Sequence, residues 1–452
     1  MDKEWRKHGT HRRTTRYLIG AAARRTGPTR SRGPMLPTAT SARAWPLEPD
    51  RSQAIAYDAL EQEIQVSAEG VYVPRAFITA ARALLALGAT SIAAPLACAQ
   101  TSWATLSAPP SAMVPAGDVL RAGHLGREIG ETQNIIHFYS DLIGLGLVGP
   151  RDAPRRFMVS HPLAEFAELG EDANAYDSVS RVALLPIPGT AAAPGAPEMT
   201  IEAIEIKGIK SRTYNPPLRD PGASYLKLIV RDLDKTLALL KDERANVITV
   251  GGNPVELSGW PGMTGKIRAV FVRDPDGYPV ELLELTPTPA STAADDARVL
   301  GARVAIVVDN LEATCRLYQS LVGPDLKFWV SPALLGDKTY ESLTNTPGQF
   351  RLAMAMVPGS PVPLEFIEYQ DHNKQFKRGF IQDPGTAHFL FMTKDDDLII
   401  PRVKAANLHT LSKSNAPVNL SPTVRSFFVP DPQGFWLEFM DRDAKAAPAA
   451  TK

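Results

Sequence analysis

Four short segments of this 452-residue chain place a carboxylate inside an apolar, strand-like run: Ile201-Glu202-Ala203-Ile204-Glu205-Ile206, Val280-Glu281-Leu282-Leu283-Glu284-Leu285, Leu364-Glu365-Phe366-Ile367-Glu368-Tyr369 and Leu437-Glu438-Phe439-Met440-Asp441. Successive side chains of a strand point to opposite faces, and apolar neighbours on both sides imply that both faces are covered. The first glutamate of each segment, Glu202, Glu281, Glu365 and Glu438, then projects into an interior. A carboxylate in such a place needs a cation, a metal ion or a proton. A glutamate turned to water on an edge strand would account for one such segment, but four at similar spacing favour the interior.

The elements around these strands repeat as well. IRAVFVRDPDGYPVELLEL, from residue 267, and VRSFFVPDPQGFWLEFMDR, from residue 424, each read as a strand, a tight turn and the glutamate strand. Pro275 and Pro432 pre-set φ, and Gly277 and Gly434 close the turns. Upstream of the other two glutamate strands lie helix patterns. Ile135, Phe138, Tyr139 and Leu142 form an apolar stripe at helical spacing within 131–147, as do Thr314, Leu317, Tyr318 and Leu321 within 311–323. Gly144 and Gly323 suit the helix ends. The unit is therefore strand, helix, then further strands, and it begins near Gly123, Ser224, Arg303 and Ala387. Units one and three are alike, as are two and four, which indicates a duplicated two-unit domain. A stretch rich in Pro, Thr, Ala and Asp, 286–298, links the halves.

Composition narrows the function classes. With 44% hydrophobic and 22% charged residues the chain is of folding type, and its length allows about three compact units. The formal charge is zero, but ten Lys/Arg fall in the first 33 residues against Asp2 and Glu4, so the remainder is mildly acidic and offers no nucleic-acid footprint. Cys98 and Cys315, the two cysteines, provide neither a disulfide framework nor a cysteine-rich zinc site.

Residues 1–70 are rich in Arg, Ala and Pro and lack sustained periodicity apart from a short helical pattern at 54–64; they read as a disordered basic arm or as sequence upstream of a true start near Val71 or Val73. Residues 71–99 read as a signal peptide, with Arg75, an apolar run from Ala83, and Ala97-Cys98-Ala99 before Gln100. Its run is too short for a membrane span. Export to the periplasm or medium is the expectation, and a cytoplasmic protein the alternative.

The FYSDLIGLGL helix end, the DPDG hairpin leading into the glutamate strand, and the βαβββ order together resemble the vicinal oxygen chelate superfamily over most of 118–442. That superfamily includes glyoxalase I, extradiol dioxygenases and bleomycin or fosfomycin resistance proteins. The resemblance implies an α+β fold in which modules 118–211 and 222–287 form one glyoxalase-like domain (118–287), and modules 300–371 and 385–442 a second (300–442). Family metal ligands come from the first strand of each module, usually His, and from the glutamate of its last strand. The common pattern sets that His seven residues before an Asp and fourteen before the Phe of a Phe-Tyr pair. Counting so gives His124, Tyr225, Arg303 and His388, with Glu202, Glu281, Glu365 and Glu438 as their partners.

Two arrangements are open. If adjacent modules share a barrel, each site keeps one imidazole, and Arg303, which has no lone pair to offer, would close its site as an ion pair. If modules pair crosswise, His124, Glu202, His388 and Glu438 form a complete set for a divalent metal such as Ni, Zn, Fe or Mn, and Tyr225, Glu281, Arg303 and Glu365 a degenerate second site. The resemblance then implies a metal-dependent lyase, with Glu202 or Glu438 shuttling a proton, or a dioxygenase, on a small oxygen-chelating substrate. A metal-free binding protein of the bleomycin-resistance type is the alternative. The insert 149–195 is expected to cap the first site, and His137, His161, His372 and His409 receive no role. Tyr225 and Tyr318 read as packing residues. Partners are confined to a small molecule, with no nucleic acid and no membrane for the mature chain, as a monomer or homodimer.

Overall fold

The computed structural model of the protein describes residues 117–151, 155–157, 180–257, 265–370 and 374–442. The expected extension 1–70, the signal-like segment 71–99, and 158–179 of the expected cap lie outside the described residues, as do His161 and His372. In chain order the elements are β1 (Val119–Glu128), α1 (Thr132–Ile136, continuing as a wider winding over His137–Ile143), β2 (Arg155–Phe157), β3 (Ser180–Pro186), β4 (Thr200–Ile206), β5 (Ser224–Val230), α2 (Leu233–Asp242), β6 (Asn246–Val247), β7 (Val255–Leu257), β8 (Lys266–Arg273) and β9 (Pro279–Thr286). There follow β10 (Val299–Val307), α3 (Leu311–Val322), β11 (Trp329–Val330), α4 (Lys338–Thr344), β12 (Phe350–Met356), β13 (Pro363–Tyr369), β14 (Ala387–Thr393), α5 (Ile400–Ala405), β15 (Val418–Ser421), β16 (Val424–Pro430) and β17 (Trp436–Arg442). Among the described residues no helix is long and apolar enough to cross a membrane.

The strands form two mixed sheets. The first runs β15-β16-β17-β14-β1-β4-β3-β2 and the second β11-β12-β13-β10-β5-β9-β8-β6, with β7 also bonded to β8. The first sheet thus joins strands of 118–211 to strands of 385–442, and the second joins 222–287 to 300–371: the crosswise arrangement. Neither sheet coincides with the expected domains 118–287 and 300–442, because the two halves of the chain exchange strands. Either arrangement must pair the edges of β1, β5, β10 and β14, and the observed one pairs them across the two halves. The apolar runs of these strands are covered on both faces, so their edges must be paired as well. Antiparallel pairing of β1 with β14 and of β5 with β10 closes those edges.

Curling into a half-barrel gives a sheet an outer face under helices and a concave inner face. The outer faces of both sheets share one core, in which Leu125 and Phe389 of the first sheet and Leu226 and Phe366 of the second pack with Tyr139 and Tyr318 from the helices. The expected helix at 311–323 forms as α3, capped by Asn310 and ended at Gly323. The one expected at 131–147 is shorter and widens after Ile136, where the amides of Gly144 and Leu145 both donate to the Tyr139 carbonyl. Phe138, Tyr139, Leu142 and Ile143 stay on the buried side, so the expected apolar stripe forms although the winding there is wider than 3.6 residues per turn.

Two tyrosine–aspartate contacts tie the sheets to each other. In the DPDG turn, Asp274 Oδ1 accepts from the amides of Asp276 and Tyr278, while Oδ2 accepts from the Tyr139 hydroxyl at 3.1 Å and from Arg127 at 2.9 Å. In the DPQG turn, Asp431 Oδ1 accepts from Gln433 and Phe435, and Oδ2 from the Tyr318 hydroxyl at 2.9 Å. Each aspartate therefore shapes its own hairpin and also holds a helix lying on the other sheet. Burial pushes the Asp431 carboxyl up to about 7 despite these donors. A carboxyl whose pKa is higher folded than unfolded contributes stability below about pH 4 that is lost as pH rises towards 7. Asp431→Asn should remove that dependence: between pH 5 and pH 8 the parent should lose ~2–3 kcal/mol of unfolding free energy relative to the variant in denaturant titrations.

Candidate metal centre

Register brings the predicted residues of the first sheet together. Gly126 of β1 lies beside Glu202 on parallel β4 and opposite His388 on antiparallel β14, and Leu390 lies beside Glu438 on parallel β17. His124, two residues before Gly126, shares its inner face. The His124 Nε2 atom is 3.0 Å from Glu202 Oε2, 2.7 Å from Glu438 Oε2 and 3.1 Å from His388 Nε2, and His388 Nε2 is 3.3 Å from Glu438 Oε2. One donor atom from each of the four residues lies within 4.8 Å of all the others. His124, His388 and Glu438 are buried and Glu202 is half-buried.

Two ring nitrogens and two carboxylate oxygens aimed at one small volume require a positive charge among them. A proton is one solution. Burial alone would disfavour the charged His124 ring, but Glu202 and Glu438 outweigh it and raise its pKa; burial would also raise the Glu438 carboxyl, yet His124 and His388 hold it well below the usual range. A divalent metal ion is another, and imidazole with carboxylate is a donor set that suits Zn, Ni, Fe or Mn.

The surroundings maintain this geometry. A Cβ on residue 126 would lie 1.9 Å from Cε1 and Nε2 of His388, so the ring occupies space that only glycine leaves. The Ser426 hydroxyl donates to Glu438 Oε1, which turns Oε2 towards the histidines. Phe428 meets the His388 ring edge to face at 5.0 Å, and it packs with Trp436, Val418, Leu411 and Ile381 on the β16–β17 side. On the β3–β4 side Leu184, Glu202 and Ile204 remain half-buried. A fifth carboxyl, Glu128, shares this inner face and was not anticipated. Burial, and then the charge of Glu202, raises it well above the ordinary carboxyl range, against the opposing pull of Arg127.

The second sheet answers the same demand differently. Lys227 Nζ lies 3.1 Å from Glu281 Oε2 and 2.8 Å from Glu365 Oε2, and Arg303 Nη1 lies 3.2 Å from Glu365 Oε1. Two cations balance two carboxylates in a buried tetrad. Glu365, which meets both cations, is held below its ordinary pKa although burial opposes this, whereas burial raises Glu281 in spite of Lys227. Of the expected set, Glu281, Arg303 and Glu365 come together. Tyr225 stands beside them, its ring 5.4 Å from Lys227 Nζ and its hydroxyl 3.4 Å from that of Tyr340. Around the tetrad the inner face is filled by a large apolar cluster that includes Phe271, Phe350 and Tyr369. The residual cavity is ≈ 20 Å³, room for about one water.

No family model matches the chain. A probable chloroplastic lactoylglutathione lyase of Arabidopsis thaliana is 25% identical over 211 residues, 46% of this chain and 46% of the relative, so the chain spans about half the length of the curated relative it matches. Among solved structures, glyoxalase I from Zea mays is similar with a TM-score of 0.46 at 17% identity, covering 71% of this chain and 92% of that one. A putative dioxygenase from Bacillus subtilis gives 0.43 at 14% identity, covering 73% and 87%. The sequence relative and the curled mixed sheets point the same way. Together they support the vicinal oxygen chelate superfamily.

Among the first-strand positions that vicinal oxygen chelate proteins use, both histidines fall in the first sheet. Lys227, missed by that count, occupies in the second sheet the register position that Gly126 has in the first: Lys227 lies beside Glu281 and opposite Arg303, as Gly126 lies beside Glu202 and opposite His388. A lysine within the apolar run SYLKLIV, two residues after Tyr225 and so on its face, was the available signal. Lys227→Met should lower the unfolding free energy by about 3–5 kcal/mol, because Glu281 loses its nearest cation; denaturant unfolding measures this. Gly126→Ala should cost about 1–3 kcal/mol and displace the His388 ring, read from denaturation and from the ring's proton resonances.

Proposed function

We propose that the protein is a metal-dependent enzyme of the glyoxalase or dioxygenase type, acting on a small substrate that offers two neighbouring oxygens. The observation that carries this reading is the convergence of His124, Glu202, His388 and Glu438 donor atoms within 4.8 Å on the open inner face of the first sheet. These four residues would hold the metal. When bound, it would supply Lewis-acid stabilisation of negative charge developing on the substrate oxygens.

The chain's own residues account for the rest. Glu202 is the more exposed of the two carboxylates, at 21% against 3% for Glu438, and lies on the open β3–β4 side. It is the group placed to take a proton from a substrate carbon and return it at a neighbouring atom. Glu438, bonded to Ser426 and against both histidines, has the holding role. The closed β16–β17 side excludes water behind the reacting atoms. The four strand–helix–strand segments are read as βαβββ modules paired crosswise, one pair keeping a site and the other reduced to an ion tetrad. A metal-free binding protein is the second reading, favoured by the second sheet, where cations from the chain already satisfy the carboxylates.

The test is metal content of the full chain after repletion with Ni, Zn, Fe and Mn. The expected result is about one ion per chain in the parent, with affinity lowered on the order of 100-fold or more in His124→Ala and in His388→Ala. Turnover of a 2-oxoaldehyde hemithioacetal, against oxygen uptake with a catechol, then separates the two chemistries. Absence of metal from the repleted parent would overturn the enzyme reading in favour of binding without chemistry.

A further inference from the structure

The row of residues that β1 turns inward does not end at the candidate ligands. Pairing with β14 and β4 is regular from Leu125 to Arg127, so alternation carries the face of His124 through Gly126 to Glu128. Glu128 is 5% exposed, its Oε2 is buried without a hydrogen-bond partner, and it lies in register with half-buried Ile204 of β4. The adjacent cation is turned away: Arg127 faces the outer core, 2.9 Å from Asp274. A buried carboxyl oxygen left without a partner is a standing cost unless something brought to the site meets it. Among the described residues the two sides of the concavity are packed differently. Phe428, Trp436 and Val418 fill the β16–β17 side, whereas Leu184, Glu202 and Ile204 line an open β3–β4 side to which Glu128 belongs.

We infer that Glu128 is a specificity-determining residue of this site, whose carboxyl meets the substrate a few atoms away from the chelating oxygens and selects an amine or hydroxyl there over a carboxylate. The inference rests on the metal-dependent reading above and names its substrate class.

The test uses hydroxamates, which share one oxygen-chelating head, with alkyl, ammonium or carboxylate tails on one, two or three methylenes. Their binding to the metal-loaded full chain is followed by calorimetry. In the parent the best ammonium tail should bind about tenfold or more tighter than its carboxylate counterpart. Glu128→Gln and Glu128→Ala should take up metal as the parent does, bind the alkyl hydroxamate unchanged, and lose most of that ratio. An unchanged ratio at every tail length overturns the inference and leaves the metal reading intact. Reduced metal uptake in the Glu128 variants overturns it in favour of a fifth ligand. A parent that takes up no metal overturns the reading and this inference together.

Discussion

A carboxylate on the inner face of a curled sheet has left water, and it stays ionised only where a positive charge meets it. The chain imposes that demand four times, at Glu202, Glu281, Glu365 and Glu438, and much of the interior is arranged around meeting it. In the second sheet the answer is covalent: Lys227 and Arg303 belong to the chain and are present whenever it folds. In the first sheet the ionisable groups that meet Glu202 and Glu438, among the described residues, are the imidazoles of His124 and His388, and an imidazole carries charge conditionally. One sheet is therefore self-sufficient, while the other is complete only with a proton or an ion.

That difference turns on one register position. Beside the inner glutamate of β4 stands Gly126, and beside that of β9 stands Lys227. Glycine leaves a hollow into which the opposing ring of His388 moves, and the ring nitrogen then reaches the shared centre. Lysine fills the equivalent hollow with its own stem, and its ammonium group arrives where the donors converge. The apolar packing follows suit. Where the charges are internally balanced, the inner face closes over them with Phe271, Phe350 and Tyr369; where they are not, it divides into smaller clusters and leaves the β3–β4 side open.

Much of this was legible in the sequence because it depends on local pattern. Alternation placed the four glutamates inward, and the turns at Asp274 and Asp431 and the helix ended at Gly323 follow from residue type and spacing. Crosswise pairing was legible only as one of two options, since a strand buried on both faces demands neighbours without naming them. Two charged residues in apolar strands, Lys227 and Glu128, escaped a count that looked only at ligand positions. The roles of Tyr139 and Tyr318 as anchors between sheets could not be read either, because Asp274 and Asp431 lie 135 and 113 residues further along the chain.

Crosswise pairing also gives those tyrosine contacts a consequence for the site. The candidate centre takes His124 and Glu202 from one end of the folded region and His388 and Glu438 from the other, so its geometry requires β1 and β14 to meet across 264 residues. Loop closure over such a length costs entropy that a single strand pair must offset. The second sheet shortens the problem, because β5 and β10 are nearer in sequence and the tetrad between them needs no external ion. Tyr139 then fixes the helix beside β1 to the turn after β8, and Tyr318 fixes α3 on the second sheet to the turn after β16. Both halves of the first sheet are thus tied to the second sheet. The ion tetrad is enclosed by apolar side chains, and it gives the two distant halves of the candidate metal face a common frame.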